Sequence, residues 1–200
     1  MNGCSENKNQ DTKYDSSSNT QDIHIGGDVY ERPYSPSFGV DTAKVTIVEF
    51  FDPGCESCRA FYPIVKDILS RNPEDVRLVL RYAAFHQGSD VVVRMLEAAR
   101  IQNIFTPVLE SLLKDQQQWA SHHKPDITKA WDIAEAAGLN LESAKEVMYS
   151  KEIDQRLAQD TKDIRSLNVK GTPTFFVNKK PLPYFGKKPL YDLVASELKQ

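Results

Sequence analysis

The sequence predicts an α/β fold in which an all-helical segment interrupts a small β-sheet domain. An apolar, strand-like run at residues 45–51 precedes a helical pattern and a second apolar run at residues 76–82. Residues 89–167 then show helical periodicity without a clear strand, and strand-like composition returns at residues 174–177. Because strand–helix–strand units give parallel strands, and further strands follow the helical block, we expect a central mixed β-sheet flanked by helices, with the helical segment inserted.

Length and composition allow one folded domain and exclude several functional classes. The 200 residues, 40% of them hydrophobic, are enough for one domain with a sizeable insertion. The net charge of −3 gives no reason to expect a nucleic-acid partner. No apolar run approaches the roughly 18–20 residues that a membrane helix needs. Met1 leads into a polar stretch rather than a signal peptide, which trimming for expression would explain.

The predicted domains follow the composition along the chain. Residues 1–28 are rich in Asn, Ser, Asp, Gln and Lys, and we expect a disordered polar leader there because little of it can be buried. Residues 29–88 and 168–200 are expected to form the sheet domain, and residues 89–167 the inserted helical domain.

The first half of the sheet domain has the clearest signals. Val45–Phe51 is almost continuously apolar, which predicts a strand buried on both faces. Asp52-Pro53-Gly54 ends that strand, and a helix is expected from Cys55 to about Ser70, kinked by the internal Pro63. Val76–Tyr82 should be the second, parallel strand.

The remaining elements are predicted from periodicity, capping residues and prolines. Asp90, Asp126 and Asn140 are placed to cap helices, and Gly138 is placed to end one. Helices are expected at residues 90–100, 104–113, 127–137, 141–149 and 153–167, followed by a strand at 174–177, an edge strand within the proline-containing 179–185 and a closing helix at 190–198.

The chemistry-bearing signal is the Cys55-Glu56-Ser57-Cys58 motif. The chain has three cysteines, and so small an odd count excludes a scaffold stapled by disulfides. A CxxC motif at a helix start places its first sulfur beside unpaired backbone N–H groups and the positive end of the helix dipole, and both favour the reactive thiolate. Because the motif directly follows a buried strand, it predicts a thiol–disulfide redox site.

Two other roles for this cysteine pair involve metals. A structural zinc site needs four ligands, and the sequence has no second CxxC motif. The histidines do not have the spacing to the cysteine pair that zinc ligands show; they are His24, His86, His122 and His123. A CxxC metallochaperone that binds Cu(I) is the alternative from another functional class. It predicts tight stoichiometric copper binding and little disulfide exchange.

Two stretches resemble the signatures of DsbA-like thiol–disulfide oxidoreductases of the thioredoxin superfamily. Residues 48–58, Val-Glu-Phe-Phe-Asp-Pro-Gly-Cys-Glu-Ser-Cys, are similar to the family's active-site stretch, and residues 171–178, Gly-Thr-Pro-Thr-Phe-Phe-Val-Asn, to its loop with a cis proline. The helical block between them is similar to the family's inserted domain, so the resemblance covers about residues 35–200. It implies a thioredoxin-like fold and dithiol–disulfide exchange with protein substrates.

The resemblance also implies roles for individual residues. Cys55 would be the exposed nucleophile that forms the mixed disulfide, and Cys58 the more buried partner that resolves it. Pro173 would be cis, opposite the cysteines, and Thr172 would offer backbone hydrogen bonds to an extended substrate. Glu49, an acid within an apolar strand, would lie beneath the disulfide and aid proton transfer; a carboxylate that reaches solvent or a lysine at the sheet edge is the alternative.

The sequence departs from the family pattern between the cysteines, where strongly oxidising members commonly carry Pro-His. Glu56 and Ser57 stand there instead, where they would also border a bound substrate. A carboxylate near Cys55 should disfavour its thiolate, while Ser57 could donate a hydrogen bond to it. We therefore predict a pair less oxidising than the strongest DsbA enzymes, with a reductase or isomerase as the alternative. His86 either lines the active-site groove or caps the following helix.

The remaining expectations concern location and partners. Asn2-Gly3-Cys4 before a polar leader resembles the end of a bacterial lipobox, so Cys4 is a candidate lipid-bearing residue of an extracytoplasmic protein; a loose cysteine in a tail is the alternative. Cysteine-containing proteins are the expected substrates, a quinone-linked membrane protein of the DsbB type is the expected redox partner, and we expect a monomer. No metal or organic cofactor is expected.

Overall fold

The computed structural model describes residues 26–121 and 124–200. Most of the polar leader, with Cys4 and His24, and the pair His122-His123 lie outside the described residues. The described elements are, in chain order, β1 Ser37–Phe38, β2 Val45–Phe51, α1 Glu56–Arg71, β3 Val76–Tyr82, α2 Ser89–Ile101, α3 Phe105–Lys114, α4 Gln116–Trp119, α5 Ile127–Ala136, α6 Leu141–Val147, α7 Lys151–Ser166, β4 Thr174–Val177, β5 Lys180–Pro181 and α8 Lys187–Leu198. None of these described helices has the length and apolar content needed to cross a bilayer.

The sheet is mixed, with the strand order β1-β3-β2-β4-β5. β2 and β3 are parallel, as predicted, and Val45 lies opposite Val76. β4 runs antiparallel to β2, and this register sets Phe175 opposite Glu49. β2 is therefore the central strand. All of its residues are buried, so the prediction of a strand covered on both faces is confirmed.

Alternating side chains of β2 enter two cores on opposite faces of the sheet. Val45, Ile47 and Phe51 join the larger core, which extends through α1 into the helical block. Val48 and Phe50 join a smaller core on the other face. Because side chains alternate along a strand, the acid at position 49 lies on the face that α1 and the two cysteines cover.

Helix starts and very short elements differ most from the prediction. The expected cap at Asp90 is wrong: Gly88 holds the N-cap position with a left-handed φ of 80°, and α2 begins at Ser89. Asp126 and Asn140 do cap α5 and α6, each through a backbone N–H three residues further on. β1 and α4 were not predicted, since elements of two and four residues are too short to show a period.

A buried ionic cluster joins β3 to α7 and to the start of the described chain. Arg81 is fully buried, and its guanidinium donates to Asp160 at 2.7 Å and to Asp163 at 2.6 Å. It also donates to the backbone carbonyl groups of Val29 and Tyr30. The cluster thus fixes the helical block against the sheet. The division of the chain into a sheet domain and an inserted helical domain stays a prediction.

Candidate active site

Cys55 occupies the N-cap position of α1, after the loop that follows β2. Its backbone is extended, with φ −84° and ψ 121°, so the chain turns from the buried strand into the helix at this residue. Its Sγ lies 3.2 Å from the carbonyl oxygen of Thr172, which is 117 residues away along the chain. The two stretches singled out in the sequence therefore meet in space.

The Thr172–Pro173 peptide bond is cis, as the resemblance implies. Pro173 is buried and Thr172 is half-buried. β4 begins at the next residue, Thr174, which pairs with Phe50 of β2. Because β2 also leads into the CxxC motif, the sheet itself positions this loop against Cys55.

The two cysteines of the motif differ in how well they are covered. Both are free thiols. Cys55 is 6% exposed, whereas Cys58 is completely buried. The expectation of an exposed nucleophile is therefore wrong, because Cys55 is itself buried. It is the more accessible of the two cysteines, and the Thr172 turn packs against its sulfur.

Hydrogen bonds lower the pKa of Cys55 to about 5. The bond from the Cys58 thiol contributes most, and burial acts in the opposite direction. Thr172 and the backbone N–H groups of Ser57 and Cys58 lower the pKa further. These N–H groups belong to the first turn of α1, where helices leave donors unpaired. Cys55 is therefore a thiolate at neutral pH.

Cys58 has the opposite character. Burial, the hydrogen bond to Cys55 and the negative charge of Glu49 raise the pKa of its thiol far above the usual value. The backbone N–H of Asp52 donates to its Sγ over 3.4 Å and acts against this rise. Cys58 consequently keeps its proton while Cys55 is ionised.

Glu49 lies in the core directly under this pair of thiols. Its side chain is almost completely buried, and within the described ranges its Oε1 has no hydrogen-bond partner. Burial raises the pKa of Glu49 to about 8, and the negative charge of Cys55 adds to the rise. The alternative of a carboxylate that reaches solvent is therefore wrong. A carboxyl group with this pKa can hold or release a proton near neutral pH.

A second buried acid, Asp52, connects three segments around the site. Its carboxylate is fully buried and accepts five hydrogen bonds. The donors are the backbone N–H groups of Gly54 at 2.8 Å, Phe85 at 2.7 Å and His86 at 2.9 Å, the Nδ1 of His86 at 2.8 Å and the hydroxyl group of Ser89 at 2.5 Å. One carboxylate therefore fixes the CxxC loop, the loop after β3 and the start of α2.

His86 lies beside the CxxC loop. A Cβ atom on Gly54 would come within 3.3 Å of the His86 Cβ and 2.5 Å of the Ser89 Oγ, so the close approach requires glycine. The pKa of His86 is raised: burial alone would lower it, but the hydrogen bond to Asp52 and the negative charges of Asp52 and Cys55 outweigh burial. The backbone carbonyl of His86 accepts the N–H of Ser89 at the start of α2. That His86 lines the active-site groove stays a prediction.

Gln116 was not singled out in the sequence analysis, although it supports the reactive loop directly. It is the first residue of α4 and is 1% exposed. Its Nε2 donates to the carbonyl oxygens of Pro53 at 2.7 Å and Cys55 at 3.0 Å. A polar run of three glutamines gives no sequence signal for this contact, because such residues usually lie on the surface.

The two residues between the cysteines face outward. Glu56 and Ser57 are exposed in the first turn of α1, so a bound polypeptide would meet them beside Cys55. In the described part of the chain, no three His, Cys, Asp or Glu side chains are grouped so that they could hold a metal ion.

Comparisons with known proteins give one family. A thioredoxin family model matches residues 31–184. Disulfide bond formation protein D of Bacillus subtilis (strain 168) is 27% identical over 184 residues, which cover 82% of this chain and 77% of that protein. The crystal structure of a thioredoxin-like oxidoreductase from Silicibacter pomeroyi DSS-3 superposes with a TM-score of 0.74 and 29% identity, and covers 86% of this chain and 96% of the other.

A much longer protein matches over one of its parts. The Na(+)/H(+) antiporter NhaA of Herminiimonas arsenicoxydans is 27% identical over 158 residues, which cover 77% of this chain. The chain spans only 24% of that antiporter's length. The family match, the relatives and the geometry of the paired thiols agree. The chain belongs to the thioredoxin family, as a DsbA-like thiol–disulfide oxidoreductase.

Proposed function

We propose that the chain exchanges a Cys55–Cys58 disulfide with the cysteines of extracytoplasmic protein substrates, and that Cys55 is the catalytic nucleophile. The opposite acidity of two neighbouring thiols carries this proposal: the pKa of Cys55 is about 5, and that of Cys58 is strongly raised. Only Cys55 is then ionised at neutral pH. A thiolate of low pKa is the attacking form and also the better leaving group.

In the oxidising direction, a substrate thiolate attacks the Cys55 Sγ and the Cys55–Cys58 bond breaks. Cys58 leaves with the electron pair and takes a proton, for which Glu49 is the donor. A second substrate thiolate then attacks the substrate sulfur of the mixed disulfide, and Cys55 leaves as a thiolate. The substrate gains a disulfide and the enzyme keeps two electrons, which a membrane redox partner of the DsbB type would remove.

The substrate is proposed to lie in extended form across the cis-proline turn and the first turn of α1. Thr172 supports this placement because its carbonyl oxygen lies 3.2 Å from the Cys55 Sγ. The backbone beside Pro173 would bind the substrate backbone as an added strand does. Glu56 and Ser57 are exposed in the first turn of α1, next to Cys55 in the chain, and would contact substrate side chains.

The chain is proposed to act outside the cytoplasm as a monomer, anchored by a lipid on Cys4. Disulfides persist in oxidising compartments and are rare in the cytosol, so a disulfide donor belongs outside it. The support for the anchor is the Asn2-Gly3-Cys4 motif, which lies outside the described residues.

Mixed-disulfide trapping tests the roles of the two cysteines. A Cys58→Ser variant, made in a Cys4→Ser background, should remain linked through Cys55 to an unfolded protein that contains disulfides. The matched Cys55→Ser variant should form no such adduct, because the Cys58 thiol is buried and protonated. Non-reducing electrophoresis and mass spectrometry measure the linkage. An adduct with Cys55→Ser, or none with Cys58→Ser, would reject the assignment.

The redox potential tests the direction of exchange. The Cys55 pKa of about 5 lies between the values of about 7 for thioredoxin and about 3.5 for DsbA. We therefore expect a potential between about −270 mV and about −120 mV, the values of those two proteins. Changing Glu56 and Ser57 together to Pro and His should make the pair more oxidising. Titration against glutathione measures both proteins, and a parent potential at or above about −120 mV would contradict the expectation.

The pH dependence of stability tests the buried acid. The folded-state pKa of Glu49 is raised from 4.5 to about 8, so its ionisation lowers the free energy of unfolding. This loss of stability is absent below about pH 4.5, grows as pH rises and is complete near pH 8. At pH 7 the reduced protein should lose about 3 kcal/mol of unfolding free energy to this group. Glu49→Gln should remove that slope in urea titrations, and should also slow the reduction of the disulfide about tenfold or more.

A surface acid provides the control for this variant. Glu142 is exposed in the first turn of α6. Glu142→Gln should leave both the pH dependence of the unfolding free energy and the rate of disulfide reduction unchanged. If the unfolding free energy of Glu49→Gln depended on pH as that of the parent protein does, Glu49 would not be held in the protonated state.

Mass spectrometry of the full-length protein from its host tests the anchor. A lipid attached to Cys4 is the expected result, and Cys4→Ser should release the protein from membranes. An unmodified Cys4 in the mature protein would end the lipid-anchor proposal without affecting the redox assignment.

A further inference from the structure

We propose that His86, held by Asp52, is a positioning residue whose imidazolium charge stabilises the Cys55 thiolate. This inference rests on the proposed function, because it concerns the reactivity of the same sulfur. Glu56 and Ser57 place no positive charge between the two cysteines. A neighbouring cation is one of the main ways to favour a thiolate, and here a different segment of the chain supplies it.

Asp52 orients the histidine at two points. The same carboxylate oxygen, Oδ2, lies 2.9 Å from the backbone nitrogen of His86 and 2.8 Å from its Nδ1. Since a carboxylate only accepts hydrogen bonds, Nδ1 carries the proton in this pair. A carboxylate that accepts a hydrogen bond from the Nδ1–H also favours the doubly protonated ring, as it does in other carboxylate–histidine pairs.

The histidine reaches the loop that presents the reactive sulfur. Gly54, the residue before Cys55, lies so close that a Cβ atom there would be 3.3 Å from the His86 Cβ. The His86 side chain is 30% exposed, so part of the imidazole remains accessible to solvent beside this contact. It is close enough for the Cys55 thiolate to raise the pKa of His86.

The negative charges of Asp52, Cys55 and Glu56 favour the protonated form of the imidazole. Asp52 faces it from the loop after β2, and Cys55 and Glu56 face it from the start of α1. On the side of α2, the first turn contributes Ser89, which is uncharged, and the exposed carboxylate of Asp90. All the ionisable groups among these are negative when charged. Glu56, expected from the sequence to disfavour the Cys55 thiolate and to border a bound substrate, therefore also helps to keep the nearby imidazolium charged.

The ion pair between the two groups exists over a defined range of pH. Cys55 is ionised above about pH 5. Because the pKa of His86 is raised, the imidazolium persists below that raised value and is lost as pH rises through it. The hydrogen bonds to Cys55 are the main cause of its low pKa, and the charge of His86 acts in addition to them.

A variant series separates the charge of His86 from its part in the loop. His86→Gln, in a Cys4→Ser background, should raise the Cys55 pKa by about one unit, so that its alkylation at pH 5 slows several-fold. The matched control is Ser89→Ala, which also removes a hydrogen bond to Asp52 but keeps the imidazole. It should shift the pKa by less than about 0.3 units. The pH dependence of the alkylation rate measures all three proteins.

A second measurement needs no change at His86 and is therefore insensitive to damage to the loop. Coupling between two sites is reciprocal, so replacing the Cys55 thiolate in Cys55→Ser should lower the His86 pKa by about the same one unit. An NMR titration of the reduced proteins measures this shift, and His86→Gln identifies the resonance among those of the four histidines.

Three results would overturn the proposal. They are an unchanged Cys55 pKa in His86→Gln, equal shifts in His86→Gln and Ser89→Ala, or a His86 pKa that does not respond to Cys55→Ser. The failure of the proposed function would look different. The Cys58→Ser variant would then trap no substrate, yet the coupling of the two pKa values could still be measured, because neither titration requires substrate.

Discussion

The arrangement of the active site depends on the buried carboxylate of Asp52. A carboxylate in the interior is costly unless it is fully hydrogen-bonded, and Asp52 meets that requirement with donors from three separate segments. The same residue uses its own backbone N–H to contact the Cys58 sulfur. Strand β2, the loop that follows β3 and the first turn of α2 are therefore fixed relative to the cysteines by one side chain. The positions of the CxxC loop and of His86 follow from this constraint, whereas the sheet positions the Thr172–Pro173 loop.

Glu49 and Asp52 show how two acids at one end of a strand can acquire different properties. Asp52 is surrounded by donors, whereas the Oε1 of Glu49 has no partner among the described residues and the pKa of Glu49 rises to about 8. The contrast between Cys55 and Cys58 has a similar origin. The hydrogen bond from the Cys58 thiol, with smaller contributions from Thr172 and the N–H groups of the helix start, lowers the pKa of Cys55, whereas burial is the main cause of the raised pKa of Cys58. Burial and local hydrogen bonding therefore give Cys55 and Cys58 opposite acidities although both are thiols.

Features governed by local pattern were predictable from the sequence. The apolar runs of β2 and β3, the helix start at the CxxC and the return of a strand after a Thr-Pro turn predicted the main strands of the sheet, although not β1. The meeting of Cys55 with the Thr172–Pro173 turn was implied by the family resemblance. Features governed by long-range polar contacts were not predictable. Gln116 lies in a polar run, and Asp52 looked like a turn residue, because neither pattern reveals a partner that is 30 or more residues away. The exposure expected for Cys55 was overestimated for the same reason, since the covering turn is distant in sequence.

Gln116 makes the helical block part of the support of the reactive cysteine. One amide from α4 donates to the carbonyl groups of Pro53 and Cys55. A shortened protein without residues 89–167 would lose both of these hydrogen bonds, and the Cys55 carbonyl would keep the one from the Arg59 N–H. Because the same amide contacts both carbonyl groups, a displacement of α4 would disturb hydrogen bonds at the start of α1. A protein that binds only the helical block could therefore alter the reactivity of the Cys55 sulfur without contacting either thiol.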